Sequence, residues 1–229
     1  MIAEVRKDVE KHLNLITKFK KDFKIRRSPN FTEIYMTHSK QKLIFNDNED
    51  FRKGLFLFGM VKKDVNNWLQ SNPDDIEYRN LPVNNANPYY NKSNKTIGID
   101  LNHAYWRVAY LKGYISQNTY EKGLGEKMPK SVKLATISTL GRPKTYDVYV
   151  GGNYSHTEKS DADNKLMDIY HDIRQSTYEI MQEISDALGN DFFCWRTDCI
   201  YFNDTKENCQ IAIDIIENHN IGWKYEIKD

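Results

Sequence analysis

Two strand-like runs separated by a long amphipathic helix set the strongest constraint on how this chain folds, because each run carries an aspartate among apolar and aromatic residues. Asp100 sits in Thr96-Ile97-Gly98-Ile99-Asp100-Leu101, and Asp198, 98 positions later (198 minus 100), in Phe192-Phe193-Cys194-Trp195-Arg196-Thr197-Asp198-Cys199-Ile200-Tyr201-Phe202. An ionised carboxylate in such surroundings needs an arginine, a helix N-terminus or a divalent cation to offset its desolvation. Two of them on adjacent strands would make a metal site. In the simpler alternative, Asp100 ends its strand paired with a lysine, and Asp198 occupies a hairpin turn opposite Arg196.

Periodicity gives the order of elements. The first 25 residues read as a charged amphipathic helix, with Ile2, Val5, Val9, Leu13, Ile16 and Phe19 spaced by three or four. Phe31 to Met36 and Lys42 to Phe45 read as a strand pair. Phe51 to Leu69 reads as a second helix, with Leu55, Phe58, Val61, Val65 and Trp68 on one stripe. Residues 71–94, rich in Asn, Pro and Asp, read as a linker. This divides the chain into residues 1–95, a helix, hairpin and helix region, and residues 96–229.

Beyond the linker, Thr96 to Leu101 reads as a strand, and Ala104 to Gly113 and Asn118 to Gly123 as helices. Ser131 to Leu140 fits either state, and Tyr146 to Val150 reads as a strand ending at Gly151-Gly152. A long helix is expected from Asp163 to Leu188, stopped by Gly189-Asn190. Two strands around Asp198, a helix capped by Asp204 or Thr205, and a last strand from Trp223 to Ile227 complete an α+β plan: a small antiparallel sheet backed by helices.

Charge excludes little, since 33 basic residues face 32 acidic ones and no global field points to a nucleic acid. Cys194, Cys199 and Cys209 form no C-x-x-C pair, and no apolar segment follows the charged start, so a reducing, cytoplasmic setting is expected. No apolar run approaches the roughly 20 residues that span a bilayer. His103, His156 and His171 match no metal-binding spacing.

Three segments resemble the palm motifs of family B DNA polymerases, in the family's order. Asp100-Leu101-Asn102-His103-Ala104-Tyr105 is similar to the first, an aspartate followed five positions later by tyrosine. Lys133-Leu134-Ala135-Thr136-Ile137-Ser138-Thr139-Leu140-Gly141 is similar to the second, and Arg196-Thr197-Asp198-Cys199 to the Asp-Thr-Asp-Ser turn of the third. Trp223-Lys224-Tyr225-Glu226 is similar to the strand that closes the family's palm.

The resemblance implies a palm-like sheet and two-metal phosphoryl transfer on DNA, with Asp100 and Asp198 holding Mg2+ or Mn2+ and Lys133 touching the incoming triphosphate. It implies that the ring of Tyr105 lies under the sugar, and that Ser138 and Gly141 belong to the nucleotide-binding segment. The chain departs from the family at Arg196, which replaces the first acid of the third motif, and at Ile137, Leu140, His103 and Trp106. The likeness covers residues 96–228, and Lys133 follows Asp100 by 33 positions (133 minus 100), too few for the family's helical fingers. A reduced nucleotidyltransferase of a virus or mobile element is one expectation, with a second chain supplying fingers or thumb. A palm-fold remnant that binds nucleic acid or protein without catalysis is the other.

Two basic clusters are candidate contacts for primed or single-stranded DNA. Lys18, Lys20, Lys21, Lys24, Arg26 and Arg27 are expected on one helix face, and Arg142 and Lys144 near the palm.

Overall fold

The protein was analysed as a computed structural model that describes residues 2–28, 31–46, 49–74, 76–90, 95–159 and 163–226. In chain order these form α1 (Ile2–Lys18), β1 (Phe23–Ser28), β2 (Phe31–Met36), β3 (Lys42–Asn46), α2 (Glu49–Ser71), β4 (Asn84–Ala86), β5 (Thr96–Asn102), α3 (Ala104–Leu111) and α4 (Gln117–Leu124). There follow α5 (Lys130–Ser138), β6 (Thr145–Val150), β7 (Asn153–Lys159), α6 (Asn164–Leu188), β8 (Phe192–Arg196), β9 (Cys199–Asn203), α7 (Lys206–Asn218) and β10 (Gly222–Glu226). The expected α+β class holds. Ser131 to Leu140 resolves as helix α5. Of the expected apolar positions, the side chains of Ile2, Val5, Phe31 and Phe51 lie outside the described ones, and Ile227 lies outside the described residues.

Two compact units emerge, each built from two stretches of chain: residues 1–60 with 124–167, and 61–123 with 168–229. The division therefore runs through α2 and α6 rather than at the linker near residue 95, and residues 71–90 belong to the second unit.

The first unit holds the five-stranded sheet β3-β2-β1-β6-β7, antiparallel throughout. Phe23, Ile25 and Ile34 are buried on one face, against which Leu13 and Ile16 of α1 pack. The helix expected over the first 25 residues ends at Lys18. Lys20 adopts a left-handed φ of 48°, its N–H reaching the Thr17 carbonyl at 2.9 Å and that of Lys21 the Ile16 carbonyl at 3.1 Å. This paired bonding is a Schellman stop with lysine in the position glycine normally fills. Phe19 therefore leaves the stripe and is 66% exposed. On α2, Leu57, Val61 and Val65 are fully buried, whereas Leu55 is exposed, so the stripe is rotated from the expected one. The β6–β7 turn is Gly151-Gly152, both at positive φ, and a Cβ on Gly152 would stand 2.7 Å from the Thr17 carbonyl oxygen.

The second unit holds the sheet β10-β5-β9-β8-β4, again antiparallel. Leaving aside the short edge strand β4, the chain runs strand, helices, strand, strand, helix, strand, and β5 lies between β10 and β9. This is the split β-α-β arrangement. Ile99, Leu101, Trp195, Ile200 and Phe202 alternate onto one buried face, which helices back. Asp100, Cys199, Tyr201, Lys224 and Glu226 fall on the opposite face.

Helix packing behind the sheet is fixed by polar anchors. Asp64 on α2 accepts from the Ser116 N–H at 2.9 Å, the Ser116 hydroxyl at 2.7 Å and the Thr119 hydroxyl at 2.6 Å, which ties down the start of α4. Burial alone would raise the Asp64 carboxyl, but these hydrogen bonds outweigh it and hold it below the ordinary range. Asp172 of α6, buried, accepts from Lys112 at 2.8 Å on each oxygen and from the Tyr114 hydroxyl at 2.6 Å.

Candidate active site

The β5 and β9 registers decide where the two aspartates meet. Asp100 pairs with Cys199 on one side and with Lys224 on the other, so it stands mid-sheet on the face opposite Ile99 and Leu101. Asp198 lies in the two-residue turn between Arg196 and Cys199, and its carbonyl accepts the Leu101 N–H at 2.9 Å, which continues the β5–β9 ladder into the turn. The two residues therefore stand at one end of neighbouring strands, both half-buried.

Their electrostatics follow from that placement. Burial raises the Asp198 carboxyl first, and the negative charge of Asp100 raises it further; Lys224 acts in the opposite direction and Glu226 in the same one. A second negative charge is thus held where it is costly. The ammonium of Lys224 lies 3.0 Å from Asp100, which raises its own proton affinity, and its side chain is mostly exposed. Glu226 accepts hydrogen bonds from the Cys199 thiol at 3.1 Å and from the Tyr201 hydroxyl. The Cys199 thiol is pushed up to about 12, chiefly by burial, which keeps it protonated at neutral pH.

Thr197 begins the turn at φ 57°. A β-branched residue in that region is strained, and such strain is concentrated at functional sites. Tyr201 lies across Gly98, where a Cβ would meet the ring at 2.8 Å. The ring covers the strand beside Asp100.

Hard oxygen donors suit Mg2+ or Mn2+, and the mutual repulsion of Asp100 and Asp198 is the disposition a divalent cation relieves. The residues fit such an ion on those grounds. Among the described residues no group of three or more His, Cys, Asp or Glu is placed to hold a metal.

The other expected residues fall in both units. Tyr105, in the first turn of α3, is half-buried with its hydroxyl 3.3 Å from that of Tyr178, which also receives the Arg174 Nε–H at 3.3 Å. Burial and then Tyr178 hold the Tyr105 phenol well above its ordinary range, and thus neutral. Lys133 is on α5 of the first unit and donates to the Leu124 carbonyl at 3.0 Å; the Ser138 hydroxyl donates to the Ala135 carbonyl at 2.9 Å, and Gly141 follows that helix.

The basic residues do not share a helix face. Lys20 and Lys21 are exposed after α1, whereas Lys24, Arg26 and Arg27 lie on β1. Lys24 is neutralised by Glu158 at 2.6 Å and Arg27 by Asp147 at 3.2 Å. The pairing of β1 with β6 brings the Arg26-Arg27 end beside the start of β6, just after the exposed Arg142 and Lys144, whereas Lys20 and Lys21 lie at the opposite end of β1, where the Gly152 N–H reaches the Lys21 carbonyl at 3.2 Å.

The simpler expectation that Asp100 pairs with a lysine holds, and the lysine, which the sequence reading did not name, is Lys224. The signal was present in Trp223-Lys224-Tyr225-Glu226, whose alternation puts Lys224 and Glu226 on one face. Neither a protein-family model, nor a curated protein, nor a solved structure matches the chain. Among the described residues no helix is long and apolar enough to cross a membrane.

Proposed function

We propose that the protein is a palm-type nucleotidyltransferase related to family B DNA polymerases, acting on DNA with a divalent cation held by Asp100 and Asp198. The observation that carries this is the placement of both carboxylates at one end of a split β-α-β sheet, on the strands and turn where the resembling motifs fall. In the reaction the 3′-oxygen of a primer bonds to the α-phosphorus of a nucleoside triphosphate, the bond to the β-phosphate oxygen breaks, pyrophosphate leaves and the hydroxyl proton passes to solvent. The cation would supply Lewis-acid stabilisation of charge on the attacking and leaving oxygens. Asp100 and Asp198 would hold it, and Thr197, at φ 57°, begins the turn that carries Asp198. The roles of Lys133, Ser138 and Gly141 in nucleotide binding rest on the resemblance. The Arg26-Arg27 end of the first sheet is the proposed DNA contact, and a second chain would supply fingers or thumb.

A palm-fold remnant that binds nucleic acid or protein without catalysis is the second reading. The Lys224–Asp100 ion pair favours it.

Incorporation of a labelled nucleotide on primed DNA in Mn2+ separates the two. The enzyme reading expects metal-dependent incorporation that falls by at least about 10²-fold in Asp198→Asn, since even residues behind metal ligands are worth 10- to 100-fold. No incorporation by the unaltered chain, alone and with candidate partner chains, leaves the second reading. The same variant has a stability signature. Because the fold raises the Asp198 carboxyl, ionising it costs nothing well below pH 4, costs progressively more through the ordinary carboxyl range and costs most above the raised value. In metal-free buffer at pH 7, Asp198→Asn should therefore melt higher, by about 2–4 °C per kcal/mol relieved. The difference should close on acidification.

A further inference from the structure

We infer that one end of the first sheet docks onto an anionic lipid surface, with Phe19 entering the headgroup region and the lysines around it meeting the lipid charges. This surface lies within the first unit and is independent of the carboxylate pair.

Three connections meet at that end: residues 18–22 between α1 and β1, residues 37–42 between β2 and β3, and residues 150–154 at the β6–β7 turn. The Thr37 N–H donates to the Asp22 carbonyl at 3.2 Å, and the Gly152 N–H to the Lys21 carbonyl at 3.2 Å. The Gly151 N–H donates to the Asp22 carboxylate at 2.7 Å. Backbone bonds thus join the three connections into one surface.

Charge there is mostly of one sign. Lys18, Lys20, Lys21 and Lys40 are exposed, while Lys42 is engaged by Glu33 at 3.1 Å. Asp22 is the one acid in the three connections, and its carboxylate already accepts the Gly151 N–H and faces His38 at 3.5 Å. Apolar groups stand among the lysines. The Schellman stop that turns the chain at Lys20 leaves Phe19 66% exposed, and on the neighbouring turn Tyr154 is 57% and Val150 55% exposed.

An exposed ring flanked by lysines suits a bilayer surface, because the ring enters the boundary between headgroups and acyl chains while the lysine stems lie along it with their ammonium groups in water. A single-stranded nucleic acid also uses cations and stacking rings. Against it, the arginines suited to bidentate phosphate recognition, Arg26, Arg27 and Arg142, stand at the other end of the sheet, and the three connections contain none.

Co-sedimentation of the full chain with vesicles of mixed phosphatidylcholine and phosphatidylserine, with pure phosphatidylcholine as control, tests the assignment. Binding is expected to the mixed vesicles alone and to weaken as salt rises. Combining Lys18→Gln, Lys20→Asn and Lys21→Gln should lower affinity by about 10²-fold, at roughly fivefold for each cation near an anionic leaflet; asparagine tolerates the left-handed turn at position 20. Phe19→Ser should lower it by about tenfold, the low end for a buried ring. Combining Arg142→Gln with Lys144→Gln should leave it unchanged, and circular dichroism should be the same throughout. Should the triple variant fail to fold, Lys18→Gln with Lys21→Gln serves, at roughly 25-fold by the same increment. Equal binding to both kinds of vesicle, or binding that needs the lysines and not Phe19, overturns the assignment. So does failure to bind vesicles, and if Phe19→Ser then weakens binding of a single-stranded oligonucleotide, the surface belongs to nucleic acid. Each of these results leaves the nucleotidyltransferase reading standing.

Discussion

Replacing Lys112 by methionine destabilises the second unit by about 3 kcal/mol, the lower end of the cost of stranding a buried charge. The Asp172 side chain is only 4% exposed and both its oxygens accept from the Lys112 ammonium, with the Tyr114 hydroxyl as the remaining donor. Methionine keeps the stem that packs between α3 and α6 but removes the compensating charge, which Tyr114 alone cannot replace. Because Lys112 is itself 38% exposed, water reaches part of the site and keeps the loss from the upper end. The double variant Lys112→Met, Asp172→Leu should recover much of the loss, since removing both partners strands only the Tyr114 hydroxyl. Urea unfolding monitored by circular dichroism measures both. Equal stability of Lys112→Met and the unaltered protein would show that the carboxylate is compensated elsewhere.

Gly123→Val is the second large effect, and a steric one. A Cβ on Gly123 would lie 2.4–2.9 Å from three ring atoms of Trp106, which is 4% exposed and has no room to retreat. The glycine lets α4 approach Trp106 of α3. Overpacking of this kind costs about 1–3 kcal/mol, and valine, with two further methyl groups against the same ring, is expected at or beyond the top of that range. The compensating variant Trp106→Leu in the Gly123→Val background should restore part of the loss. If it restores none, the contact is not the cause.

These anchors also show what the sequence conceals. Periodicity located α6, α7 and the β8–β9 hairpin because each is long or strongly alternating and each is punctuated, as at Gly189-Asn190 and Thr205. It ran α1 over the first 25 residues because Ile16 and Phe19 keep a helical spacing, and because the stop is made by Lys20, a residue with no preference for the left-handed region. Strand β1 then offered only Phe23 and Ile25 between basic residues. Strand β7 is exposed at all but one position, so no apolar alternation marks it, and pairing with β6 alone makes it a strand. The compact units were illegible for a different reason: each joins two stretches distant in sequence, and nothing local encodes such pairing. At the site, motif order brought Asp100 and Asp198 to neighbouring strands. Lys224 became the partner of Asp100 only through the β5–β10 register, which is a long-range choice.

The central claim, that Asp100 and Asp198 together form a divalent-cation site, is tested most directly by an anomalous difference map from crystals soaked in Mn2+. The account predicts a peak within about 2–2.5 Å of carboxylate oxygens from both residues. Full-occupancy Mn2+ elsewhere on the chain, with no density between Asp100 and Asp198 and Lys224 still seated on Asp100, would contradict it.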